Sequence, residues 1–130
     1  MYTILIDDDP ISLFLTQRLI KSGGFLTAVT PFDSPVEALA ALKQQLAAGQ
    51  LPMVVFLDLN KPVLKGWQFL EALAPHEISM QGQCRIYLLT SSVAPLDATR
   101  AKDHALITRL IHKPLNISEL REIYDSVKSI

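Results

Sequence analysis

An α/β fold built on five parallel strands is predicted by three features of the sequence. Apolar, β-branched runs recur along the chain, helix-period segments fill the gaps between them, and most of the runs end on polar or ionisable residues. Tyr2-Thr3-Ile4-Leu5-Ile6 ends in Asp7-Asp8-Asp9, and Met53-Val54-Val55-Phe56-Leu57 ends in Asp58. Arg85-Ile86-Tyr87-Leu88-Leu89 ends in Thr90-Ser91-Ser92, and Ile107 to Ile111 runs through His112 into Lys113-Pro114. Runs this continuously apolar read as strands buried on both faces, as in a parallel sheet covered by helices. Ending such a strand on a carboxylate is costly unless the carboxylate sits at the open carboxyl edge of the sheet, where ligands bind in folds of this kind.

The intervening elements follow in order. Asp9 stands where a helix N-cap belongs and Pro10 where proline is favoured at the first helical position, so a helix is expected from Pro10 to about Ser22. Ile11, Phe14, Leu15 and Leu19 would form its apolar side, and Gly23-Gly24 its stop. A second strand, about Phe25 to Pro31, precedes a helix from Ser34 to Ala48 ended by Gly49, with Val36, Leu39, Leu42 and Leu46 as its stripe. After the third strand come a short helix, about Lys65 to Ala74, and an irregular stretch from Pro75 to Gln83. A fourth helix is expected near Pro95 and a fifth near Ile117, capped by Asn116 and striped by Ile117, Leu120, Tyr124 and Val127. Strict alternation of strand and helix puts helices on both faces of the sheet. Five strands so connected most naturally take the flavodoxin-like order 2-1-3-4-5, which brings the tips carrying Asp7-Asp8 and Asp58 together at the topological switch point.

At 130 residues the chain is expected to be one domain, residues 1–130, with no output domain. Apolar residues make up 49% and charged residues 19%, a globular composition. A net charge of −1 without a basic stripe gives no footprint for nucleic acid. No apolar stretch approaches the ~20 residues of a membrane helix, and no leader is evident, so a cytoplasmic protein is expected. The single cysteine, Cys84, excludes an internal disulfide and reads as a buried small hydrophobe at a strand start.

Three carboxylates held close together repel, and the usual remedy is a hard divalent cation with oxygen ligands. Mg²⁺ suits one or two carboxylates together with waters and a phosphoryl oxygen. Lys113 adds a point charge able to pair with a phosphoryl group, and Thr90 a hydroxyl at the same rim. Such a set forms a phosphoryl-transfer site with Asp58 as the natural nucleophile, yielding an aspartyl phosphate.

The set Ile6-Asp7-Asp8, Asp58-Leu59-Asn60-Lys61-Pro62 with Gly66, Thr90-Ser91-Ser92 and Lys113-Pro114 resembles the receiver domain of bacterial two-component response regulators, in order and spacing, over essentially the whole chain. The resemblance implies that Asp58 accepts a phosphoryl group from a histidine kinase or phosphotransfer protein, that Asp8 binds Mg²⁺ directly and Asp7 through water, and that Asp58 and the Asn60 backbone carbonyl are further ligands. It implies that Thr90 is the switch hydroxyl, that Lys113 pairs with the phosphoryl group, and that the Lys113–Pro114 bond is cis. Leu110 departs from the pattern, since an aromatic residue is common three places before the lysine, and the relay from Thr90 lacks that partner here. Lys61 stands where an apolar residue is frequent. The family's docking face, made by the fourth helix, fifth strand and fifth helix, would display Arg100, Lys102, Asp103, Glu119 and Glu122. Such a chain would act as a monomer or weak dimer, signalling through a downstream protein or a phosphorelay, and would catalyse only its own phosphorylation and dephosphorylation.

Simpler readings stand beside these. Asp9 is taken as a helix cap, and His76, His104 and His112 as structural or exposed, since they lack metal-ligand spacing. Gly66-Trp67 is read as a turn with a packed indole. Asp7-x-Asp9 also mimics the opening of a haloacid-dehalogenase-type phosphatase, although a later acidic pair is missing and Asp58 is left unexplained. A flavin site is disfavoured because three aspartates in the first loop repel a phosphate. A degenerate receiver serving as a constitutive binding module is the remaining alternative.

Overall fold

In the computed structural model the chain describes residues 2–25, 27–50, 52, 54–58, 63–80, 83–90, 106–113 and 115–128. Five strands form one parallel sheet: β1 (Tyr2–Ile6), β2 (Ala28–Phe32), β3 (Val54–Asp58), β4 (Arg85–Thr90) and β5 (Ile107–His112), in the order β2-β1-β3-β4-β5. The helices are α1 (Pro10–Ser22), α2 (Pro35–Ala48), α3 (Val63–Leu73), a short α4 (Glu77–Met80) and α5 (Ile117–Lys128). The expected helix from Pro95 lies outside the described residues, as do Asn60, Lys61, His104 and the Lys113–Pro114 bond.

Period-two alternation divides the strand side chains between two cores. Ile4, Ile6, Val55, Leu57, Ile86 and Leu88 face α2 and α3, where Leu42, Leu70 and Leu73 meet them. Leu5, Val54, Phe56, Tyr87 and Leu89 face α1 and α5, packing on Ile20, Leu120, Ile123, Tyr124 and Val127. Every residue of β3 is buried, as its unbroken apolar run requires. Tyr124 reaches from α5 to a buried hydrogen bond with Thr3 in β1 (2.9 Å), and Thr3 in turn bonds Thr27 (2.8 Å). The phenol thus keeps a partner in the core, as a buried hydroxyl must.

The helix starts follow the sequence signals. The Asp9 carboxylate accepts from the Ile11 N–H at 3.0 Å, Ser34 caps α2 through the Glu37 N–H at 3.3 Å, and Asn116 caps α5 through the Glu119 N–H at 2.8 Å. Gly49 ends α2 at φ 71°, a left-handed conformation that glycine adopts freely. Five expectations are corrected. In α1, Ile11, Phe14 and Leu15 are 72%, 56% and 59% exposed; the inward side is Leu13, Leu19 and Ile20, one step round the helix. In α2, Val36 is exposed, and Ala38 takes the buried place beside Leu42. α3 begins at Val63, so Gly66 and Trp67 are helical rather than a turn. The stretch after it is also helical, as a 3₁₀ turn over Ala74–His76 followed by α4. β2 begins three residues later than expected, at Ala28.

Burial pushes the Cys84 thiol up from its ordinary 9.0 to about 12. Its reagent reactivity at pH 8 is therefore expected to be negligible in the native protein and complete in denaturant, measured by thiol titration with a chromogenic disulfide. Because the folded value lies above the unfolded one, this contribution to stability is complete below pH ~9 and is lost as pH rises toward about 12.

Candidate functional site

Strand register builds the site. Ile6 pairs with Leu57 across the β1–β3 ladder, so one step further Asp7 and Asp58 emerge side by side. Asp58 pairs with Leu89, which brings Thr90 level with the rim, and Thr90 pairs with His112, which places Lys113 next in line. A backbone bond from Lys113 N–H to the Thr90 carbonyl (2.8 Å) fixes where the β5 tip turns, and one from Asp7 N–H to the Phe32 carbonyl (3.0 Å) fixes the β1 tip. No side chain has to reach far, because adjacent parallel strands lie ~4.8 Å apart.

The ammonium of Lys113 is in direct contact with Asp58 Oδ2, lies 3.6 Å from Asp7 Oδ2, and donates to Ser12 Oγ at 2.9 Å. The Asp7 and Asp58 side chains are 3% and 0% exposed and that of Lys113 17%, so these charges are largely removed from water. Burial pushes the Asp7 carboxyl up. Hydrogen bonds with Asp58, with Ser12 and with the Asp9 N–H (2.9 Å), together with the Lys113 charge, outweigh that and hold it below the usual range. Thr90 is buried at the same rim.

Asp7, Asp58, Thr90 and Lys113 are brought together, whereas Asp8 is exposed and lines a cleft of about 380 Å³ with Asp33, Ser34 and Phe69. Among the described residues no three acidic, cysteine or imidazole side chains converge. The donors nonetheless fit Mg²⁺. Two ionised carboxylates sharing one ammonium still repel each other, and a divalent cation offsets that repulsion. Mg²⁺ asks for only one or two carboxylates and completes its shell with water.

Ser12 is the residue that sequence reasoning missed. Its signal is a hydroxyl three positions after a helix N-cap, and finding it required knowing which side of α1 faces the sheet. His112 is exposed and His76 half-buried. Leu110 packs partly buried against the core on the α2–α3 side. Glu119 and Glu122 are not free surface charges, since Arg109 of β5 lies 4.0 and 3.3 Å from them. No helix among the described residues is long and apolar enough to cross a membrane.

Three comparisons bear on this geometry. The model of the response regulator receiver domain matches residues 3–125. A two-component response regulator from Cytophaga hutchinsonii is 28% identical, with 99% of this chain and 97% of that one covered at a TM-score of 0.87. A response regulator receiver protein from Dyadobacter fermentans DSM 18053 is 29% identical, with 98% of each chain covered and a TM-score of 0.85. Hybrid signal transduction histidine kinase C of Dictyostelium discoideum is 32% identical over 74 residues, 57% of this chain but 6% of that much longer protein.

Removing the Lys113 charge leaves two buried acids without their counter-cation. Lys113→Met is expected to destabilise the protein by ~2–4 kcal/mol at pH 7. Added Mg²⁺ should raise the melting temperature of that variant more than that of the parent, as measured by circular dichroism.

Proposed function

The chain belongs to the response regulator receiver family, and we propose that it accepts a phosphoryl group on Asp58 and signals by the resulting change in protein binding. The observation that carries this reading is the contact of Lys113 with the most deeply placed carboxylate of the sheet edge, Asp58. A carboxylate oxygen there attacks phosphorus, the bond from phosphorus to the donor breaks, and its electron pair leaves with the donor group. Lys113 then neutralises a phosphoryl oxygen, and the Thr90 hydroxyl lies at the rim to donate to another. Asp7 and Asp8, with the Asn60 carbonyl, would hold Mg²⁺, which supplies charge neutralisation at the phosphoryl oxygens when bound.

The donor in this proposal is a phosphohistidine of a histidine kinase or phosphotransfer protein, and the chain is not a turnover enzyme. Its downstream partner would dock on the face that includes β5 and α5. The absence of an aromatic residue at Leu110 would make the coupling from Thr90 to that face depend on aliphatic packing. A cytoplasmic site of action agrees with the free, buried Cys84 thiol. A phosphatase of the haloacid-dehalogenase type is disfavoured because the Asp9 side chain is engaged in capping α1. A constitutive module with a degenerate pocket is disfavoured because Asp7, Asp58 and Lys113 are in contact range of one another.

Incubation with acetyl phosphate and Mg²⁺ is expected to add one phosphoryl group, read by intact mass, and to leave Asp58→Asn unmodified. Chelation of the metal should suppress the adduct. An adduct that survives in Asp58→Asn would place the chemistry elsewhere.

A further inference from the structure

The three N–H donors of a lysine ammonium must each find an acceptor when the group is buried. Around Lys113, Asp58 Oδ2 is in contact and Ser12 Oγ accepts at 2.9 Å, while Asp7 Oδ2 lies within ion-pair range at 3.6 Å. Two of the three stand on strand tips, while Ser12 stands on α1, half-buried and within the first turn after the Asp9 cap. Its hydroxyl oxygen is the acceptor in the bond with the lysine, since an ammonium cannot accept.

We propose that Ser12 is a positioning residue for phosphoryl transfer, holding the Lys113 ammonium over Asp58 through the bond it accepts from that ammonium. The inference rests on the phosphoacceptor reading of Asp58. During transfer the acceptor oxygen of Asp58 becomes bonded to phosphorus, and the bond between phosphorus and the donor oxygen or nitrogen breaks with its electron pair. The lysine must then shift from the carboxylate to a phosphoryl oxygen. Ser12 is untouched by that exchange and keeps one N–H direction fixed. With no acceptor on α1, the ammonium is free to swing toward Asp7, away from the oxygen on which charge develops, and misplacement on this scale is costly.

The test compares Ser12→Ala and Ser12→Thr with the parent, measuring the rate of phosphorylation by acetyl phosphate at saturating Mg²⁺, the Mg²⁺ affinity by calorimetry and the melting temperature. Ser12→Ala is expected to slow phosphorylation by about 10- to 150-fold, the effect of one lost hydrogen bond to a charged group. Ser12→Thr should restore the rate to within about 3-fold, because the hydroxyl is kept. A merely structural serine would lower the melting temperature without this rescue. An Ser12→Ala rate equal to the parent, with Lys113→Ala slowed, overturns the proposal, as does a Thr variant as slow as Ala. Should the parent itself take no phosphoryl group, the phosphoacceptor reading fails by itself. The Ser12 contact is then decided by nitrogen NMR of the lysine ammonium groups. A slowly exchanging Lys113 signal lost in Ser12→Ala and kept in Ser12→Thr supports the positioning role, and a signal unchanged in both overturns it.

Discussion

Everything at the carboxyl edge of the sheet depends on one largely dehydrated ion cluster, Lys113 against Asp58 and Asp7. Burying two acids is tolerable only when a cation and hydrogen bonds accompany them, and burying a lysine only when its donors are used. Neither half would survive alone in this position. The cluster also ties β1, β3 and the β5 tip to one another and, through Ser12, to α1. Such a pair adds little net stability over an apolar replacement, which agrees with the proposed chemical role better than with a purely structural one.

The sheet supplies the rigidity that the cluster needs. β3 is buried throughout and pairs on both edges, so Asp58 projects from a strand held on every side. The two cores on either side of the sheet give each strand residue a packing partner. Tyr124 and Thr3 add a polar tie through the α1–α5 core. The acceptor role proposed for Asp58 is well served by this foundation, because side chains on rigid elements keep their geometry.

α1 shows how a local pattern can be read two ways. Its sequence carries one apolar series at Ile11, Phe14, Leu15 and Leu19 and another at Leu13 and Ile20, offset by one step. Periodicity scores both, since each recurs at helical spacing. The cap at Asp9 and the contact of Ser12 with Lys113 agree with the rotation that buries the second series, leaving Ile11, Phe14 and Leu15 outward. Val36 in α2 and the helical Gly66 in α3 are smaller cases of the same competition between local preference and tertiary packing.

The strand runs, their polar ends, the caps at Asp9, Ser34 and Asn116 and the order of the sheet were legible from the residues alone. Each rests on local chemistry: continuous apolar runs, side-chain oxygens facing free N–H groups, and connectivity that admits few topologies. Asp7, Asp58, Thr90 and Lys113 were legible for the same reason, since register carries strand tips to one edge. Which side of α1 faces the sheet, the outward placement of Asp8 and the presence of Ser12 beside the lysine were decided only by the tertiary structure. Those depend on how a helix is rotated about its axis and on which acceptors remain for a buried ammonium, and both are settled by long-range packing rather than by neighbours in the chain.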